Sequence, residues 1–130
     1  MIVKFEEKAK VIASYKGMTI TTDQPAPMGD GSAPAPFDLF LASIGTCAGI
    51  YVKSFCDRRG IPTDGIQIEQ SVTDYDKEKG LIRGMKLDIQ LPADFPEKYR
   101  AAVISSASLC AVKKHLENPP TIETITSIVE

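Results

Sequence analysis

The first fifteen residues alternate between apolar and polar. Val3, Phe5, Ala9, Val11, Ala13 and Tyr15 fall on one parity, and Lys4, Glu6, Lys8, Lys10 and Ser14 on the other. Period two is the signature of a half-buried strand, or of two short ones. Glu7 interrupts the pattern and Ile12 falls on its polar side. Lys16-Gly17 reads as a turn and Met18–Thr22 as the returning strand. Residues 23–36 carry four of the nine prolines and two of the nine glycines, a composition that no regular element survives. A loop of that length in a small chain is either functional or a mobile surface segment. From Pro36 the period changes. Phe37, Phe40, Leu41, Ile44, Ala48, Tyr51, Val52 and Phe55 recur at helical spacing, which predicts a helix running to about Arg59, stopped by Gly60 and Pro62. Ala42, Gly45, Thr46 and Gly49 form a small-residue side, so this helix is expected to be the central element, packed on both sides. Ile66, Ile68 and Val72, then Met85, Leu87, Ile89 and Leu91, alternate again around a polar stretch, Asp74 to Gly80, and predict a hairpin. Pro96 opens a helical region that Ser105, Ser106 and Ser108 weaken. A second short helix is expected to restart with Ser108 as N-cap and to end at Asn118-Pro119-Pro120. Thr121 to Val129 is rich in β-branched residues and predicts a last strand. The order β-β-(β)-α-β-β-α-α-β makes an α+β fold, expected as a single domain over residues 1–130.

Composition narrows the function. Lys+Arg number 15 and Asp+Glu 17 among 130 residues, a net charge of −2. That lacks the basic field of a nucleic-acid or anionic-membrane binder, so neither partner is expected. Residues 1–7 are charged early and lack the apolar core of a signal peptide. The uncharged run from Leu39 to Val52 is shorter than the roughly 20 residues that cross a bilayer, which suggests a buried segment. Three cysteines make no disulfide framework and suit a reducing, cytoplasmic setting.

Few catalytic kits remain. One histidine, His115, excludes a multi-His metal site, and it reads as a solvated helix-end residue. The spacing of Cys47 and Cys56 does not suit structural zinc. No phosphate-binding glycine loop is present. No metal or cofactor is called for. That leaves the thiols. On one helix, nine residues put Cys47 and Cys56 on opposite sides, roughly 13 Å apart along the axis. They cannot bond to each other. Cys110 falls on a different element, expected in the first turn of a helix. There the helix dipole favours a thiolate, and Lys113 follows one turn on. Cys47 with Cys110 is the pair that geometry leaves open, although inert buried cysteines are also common.

Ala35-Pro36-Phe37-Asp38-Leu39-Phe40-Leu41-Ala42-Ser43-Ile44-Gly45-Thr46-Cys47 resembles the Pro-x-(acidic)-x-x-x-x-(Ala/Met)-x-x-Gly-x-Cys helix of the OsmC/Ohr superfamily of osmotically inducible and organic hydroperoxide resistance proteins. Ser108-Leu109-Cys110-Ala111-Val112 resembles its second cysteine motif, with Ala111 where proline is usual. The resemblance implies an intertwined homodimer whose central helices are wrapped by sheets mixing strands of both chains. It also implies a peroxiredoxin-like, thiol-dependent reductase of organic hydroperoxides that serves in oxidative stress. Cys47 would then attack the peroxide, Cys110 would resolve the product to a disulfide, and a dithiol would be the reductant. Phe37, Asp38, Phe40, Ile44, Tyr51 and Lys16 would line the substrate pocket. Active peroxidases of the superfamily use an arginine from the early hairpin and a glutamate directly after the helix-opening proline. Here no arginine precedes Arg58, Lys16 is the nearest basic residue of the hairpin, and Phe37 takes the glutamate position. The sequence therefore resembles the OsmC-like branch. The alternative it implies is a dimer without efficient peroxidase activity that binds a small apolar or thiol-reactive ligand at the subunit interface.

Overall fold

A computed structural model describes residues 1–130. The chain divides into two compact units, residues 1–43 and 44–130. The alternating N-terminal segment forms two short strands, β1 (Ile2–Phe5) and β2 (Val11–Tyr15), followed by β3 (Met18–Thr22). They pair antiparallel in the order β1-β2-β3. Lys16 and Gly17 both take positive φ, 48° and 74°, between the paired Tyr15 and Met18. That is the two-residue turn whose twist matches a hairpin. Thr22 Oγ donates to the Val11 carbonyl at 2.7 Å and closes the sheet at its far end.

The proline-rich segment after β3 is irregular but organised around one carboxylate. Asp23 is 1% exposed. Its Oδ1 accepts the Gln24 N–H at 2.8 Å. Its Oδ2 accepts the Asp30 and Ser32 N–H groups at 3.2 and 3.0 Å, and the Ser32 hydroxyl at 2.7 Å. These bonds, the Ser32 hydroxyl foremost, hold the Asp23 pKa down to about 2. A Cβ at Gly29 would collide with Asp23 Oδ1 and the Gln24 backbone, so the loop requires glycine there.

The helix α1 spans Pro36–Asp57, ending two residues before the expected Arg59. Asp38 Oδ2 accepts the Ala35 N–H at 2.9 Å, the back-reaching half of a capping box, with Pro36 as first helical residue. By length and composition alone α1 is long and apolar enough to cross a membrane. Its Ile44, Ala48, Val52, Phe55 and Cys56 are instead buried in the protein.

In the second unit Val52, Phe55 and Cys56 of α1 form the core with Phe95 and Val103. Ile66, Ile68, Ile89 and Leu91 pack against it from the hairpin of β4 (Gln67–Asp76) and β5 (Leu81–Gln90). The strands extend further toward the turn than the polar stretch suggested, because Asp76 Oδ1 caps the turn through the Glu78 and Lys79 N–H groups. A register irregularity between Val72 and Asp74 faces Gly84, where a Cβ would lie 2.7 Å from Thr73 Oγ. On the small-residue side of α1, a Cβ at Gly45 would lie 2.6 Å from Gln70 Oε1, so the Gln70 side chain of β4 reaches the helix there. A 3-10 turn (Glu97–Tyr99) leads into α2 (Arg100–Ala107), which brings Val103 into the core.

Two expectations need correction. The last helix, α3 (Ala111–Glu117), is capped by Cys110, not by Ser108. Ser108 instead closes α2, its N–H and hydroxyl both bonded to the Ile104 carbonyl. The expected strand at Thr121–Val129 does not form within the chain. Those residues have no regular structure and stand exposed, Ile128 at 95%. A strand exists only as paired backbone, and no neighbour in this chain pairs with this one.

Candidate active site

The candidate site lies wholly in the second unit, where α1 meets the start of α3. Cys47, half-buried on α1, and Cys110, 2% exposed, come from positions far apart in sequence. The Cys110 thiol is directed at the Cys47 sulfur and acts on it as a hydrogen-bond donor. The Val112 and Ala111 N–H groups donate to the same sulfur. Amides in a helix's first turn have no partner within the helix, so they are free to do this.

These contacts divide the two thiols. The Cys110 thiol, followed by the Val112 and Ala111 amides, holds the Cys47 pKa below its ordinary value of 9.0 against the opposing effect of burial. Burial first, and donation to Cys47 second, push Cys110 up. The expected first-turn position by itself favours a thiolate at Cys110, whereas the family resemblance gives the attacking thiolate to Cys47; the surroundings of the two sulfurs favour Cys47. Cys110 is the N-cap, and its sulfur accepts the Lys113 N–H at 3.5 Å and shares the Val112 amide, while Cys47 arrives from α1 to meet the amides of Ala111 and Val112. Every group that favours the Cys47 thiolate is uncharged. Cys56 is fully buried in the core, and burial raises its pKa, as suits a packing residue.

The other expected pocket residues are placed as follows. Ile44 is buried on α1, one turn before Cys47. Tyr51, one turn after it, is half-buried, and its carbonyl accepts the Ser106 hydroxyl at 3.3 Å. In the first unit Phe37 and Phe40 stack with centroids 5.4 Å apart, Phe37 remaining 56% exposed. Asp38 is engaged as the helix cap, and Lys16 lies 5.1 Å from the Tyr15 ring. His115 sits exposed on α3, a ring nitrogen 2.7 Å from the Ala111 carbonyl. The residues that sequence reasoning missed are Ala111 and Val112, which act through backbone N–H groups. Nothing in their side chains marks them in the sequence.

The family model for OsmC-like proteins matches residues 29–125, most of the chain and both cysteine motifs. The chain belongs to the OsmC-like family. Solved structures share its fold at low identity. One is described as an osmotic stress induced and detoxification response protein from Psychrobacter arcticus 273-4. It is 20% identical, with a TM-score of 0.71 over 87% of this chain and 84% of that one. A structural genomics target is 19% identical, with a TM-score of 0.69 over 91% and 88%. A hypothetical protein from Aquifex aeolicus VF5 is 16% identical, with a TM-score of 0.62 over 91% and 86%. No curated protein matches the chain. The α+β architecture of this OsmC-like protein is thus that of its structural relatives.

Proposed function

We propose that this OsmC-like protein is a thiol-dependent hydroperoxide reductase, peroxiredoxin-like in chemistry and acting in the response to oxidative stress. The observation that carries the proposal is the contact of Cys47 with Cys110, in which the more exposed sulfur is the one whose thiolate is stabilised. The Cys47 thiolate attacks one peroxide oxygen and the O–O bond breaks. The departing alkoxide takes a proton and leaves as the alcohol, and Cys47 becomes a sulfenic acid. Cys110 attacks that sulfur, water leaves, and a Cys47–Cys110 disulfide remains. An external dithiol reduces it by exchange and is itself oxidised to a disulfide. The donors from Cys110, Ala111 and Val112 take the part that an arginine plays in active relatives. The apolar Ile44 and Tyr51 flank Cys47 on α1 and favour an organic hydroperoxide.

The working form is proposed to be a homodimer in the cytoplasm, where dithiol reductants are available. Ile2, Val3 and Phe5 on β1, and Ile122, Ile125, Ile128 and Val129 of the tail, are apolar and exposed in the single chain, which supports a second copy covering them. The test of activity is direct. Purified protein with dithiothreitol should consume cumene hydroperoxide, and Cys47→Ser should abolish turnover. Turnover unchanged by that substitution refutes the proposal. One observation favours a second reading, a dimer that binds an apolar or thiol-reactive ligand: the stacked, exposed Phe37 occupies the position of the glutamate. That reading predicts negligible peroxide consumption with Cys47 still open to electrophiles.

A further inference from the structure

Once a disulfide joins Cys47 and Cys110, an incoming thiol must choose a sulfur. We propose that the reductant attacks the Cys47 sulfur, so that the mixed disulfide forms on Cys47 and Cys110 departs. The inference rests on the two-cysteine reading above and adds the direction of its reductive step. Thiol–disulfide exchange is an in-line displacement, so the attacking sulfur approaches along the S–S axis from the side opposite the leaving one. To reach Cys110 it would have to arrive through the packing that leaves that residue 2% exposed. The first turn of α3 blocks it further, since the Lys113 N–H already sits on the Cys110 sulfur. Cys47 is half-buried and is the accessible one of the two. The two thiols already interact in the reduced state, so closing the bond draws together neighbouring groups and leaves this difference in access in place.

Leaving-group chemistry pulls the other way. The more acidic thiol departs faster, which by itself favours attack on Cys110 with Cys47 leaving. Access decides, because a sulfur without an in-line path is not attacked at all. In the proposed step the reductant thiolate forms a bond to Cys47 Sγ, the Cys47–Cys110 bond breaks, and the electron pair leaves on Cys110, which takes a proton. A second reductant thiol then attacks the mixed disulfide, releasing the Cys47 thiolate and the oxidised reductant.

The test uses wild-type protein oxidised with diamide, so that the disulfide does not depend on peroxide chemistry. The oxidised protein is mixed briefly with 2-mercaptoethanol and quenched in acid. The freed thiol is alkylated with a maleimide, and the peptides are mapped by mass spectrometry. The expected result is mercaptoethanol on Cys47 and maleimide on Cys110, in at least tenfold excess over the reverse pattern. The reverse pattern, an even mixture, or no Cys47–Cys110 linkage after diamide overturns the proposal. Attack at Cys47 in a protein that consumes no hydroperoxide would refute the reductase reading and leave this inference standing. As a second measurement, Ellman's reagent should modify Cys47 of reduced Cys110→Ser at least tenfold faster than Cys110 of reduced Cys47→Ser. Equal rates count against it.

Discussion

Oxidation of Cys47 and Cys110 should staple α3 to α1 and stabilise the protein. The closed loop runs from residue 47 to residue 110, roughly 60 residues. For a loop of that size, removing chain entropy from the unfolded state contributes about 4 kcal/mol. Two effects reduce the gain. The Cys110 donation to Cys47 is lost, and the amide bonds to the Cys47 sulfur weaken, together about 1 kcal/mol. Strain is expected to be small because the two thiols already interact. A net gain of about 3 kcal/mol, with a urea dependence of about 2 kcal/mol per molar, moves the midpoint up by about 1.5 M. The assay is urea unfolding followed by far-UV circular dichroism on diamide-oxidised and reduced protein, with Cys110→Ser carried through both treatments. The variant should show no shift. A wild-type shift below about 0.5 M, or a pairing that involves Cys56, would refute the reasoning, since the first denies the closed loop and the second denies the buried core position of Cys56.

Two further predictions follow from the electrostatics. If the Cys110 hydrogen bond is the main support of the Cys47 thiolate, Cys110→Ala should move the Cys47 titration, read by thiolate absorbance or alkylation rate against pH, up toward 9.0. Cys110→Ser, which keeps a donor, should move it less, and identical curves for the two variants would count against the assignment. Asp23 has a folded pKa of about 2 against an ordinary 3.8, so its contribution to stability is complete above about pH 4 and is lost as pH falls toward 2. Asp23→Asn keeps the shape but not the charge. It should lower the melting temperature at pH 7 and flatten the decline between pH 4 and 2, and a variant with the wild-type acid profile would show that other carboxylates carry it.

Much of the architecture follows from local pattern. The alternation of residues 3–15, the Lys16-Gly17 turn, the helical spacing from Pro36 and the hairpin around residues 74–80 all rest on short-range chemistry, namely turn residues, capping and which side chains share a face. These are properties a segment carries with it. Two cysteines on separate elements, with Cys56 set apart, could also be read, because helix geometry forbids Cys47 and Cys56 from meeting. What tertiary structure alone decided are relations between segments. Thr121–Val129 has the composition of a strand, yet it stays unpaired, because a strand depends on an edge elsewhere. Cys110 was expected inside the first turn of a helix capped by Ser108, yet it is itself the cap, and the free amides of that helix went to a sulfur from α1. Its dipole therefore acts on Cys47 and burial raises Cys110. Backbone N–H groups have the same identity in every non-proline residue, so no residue pattern could announce that Ala111 and Val112 would meet Cys47. Only the packing of α3 against α1 brought them together.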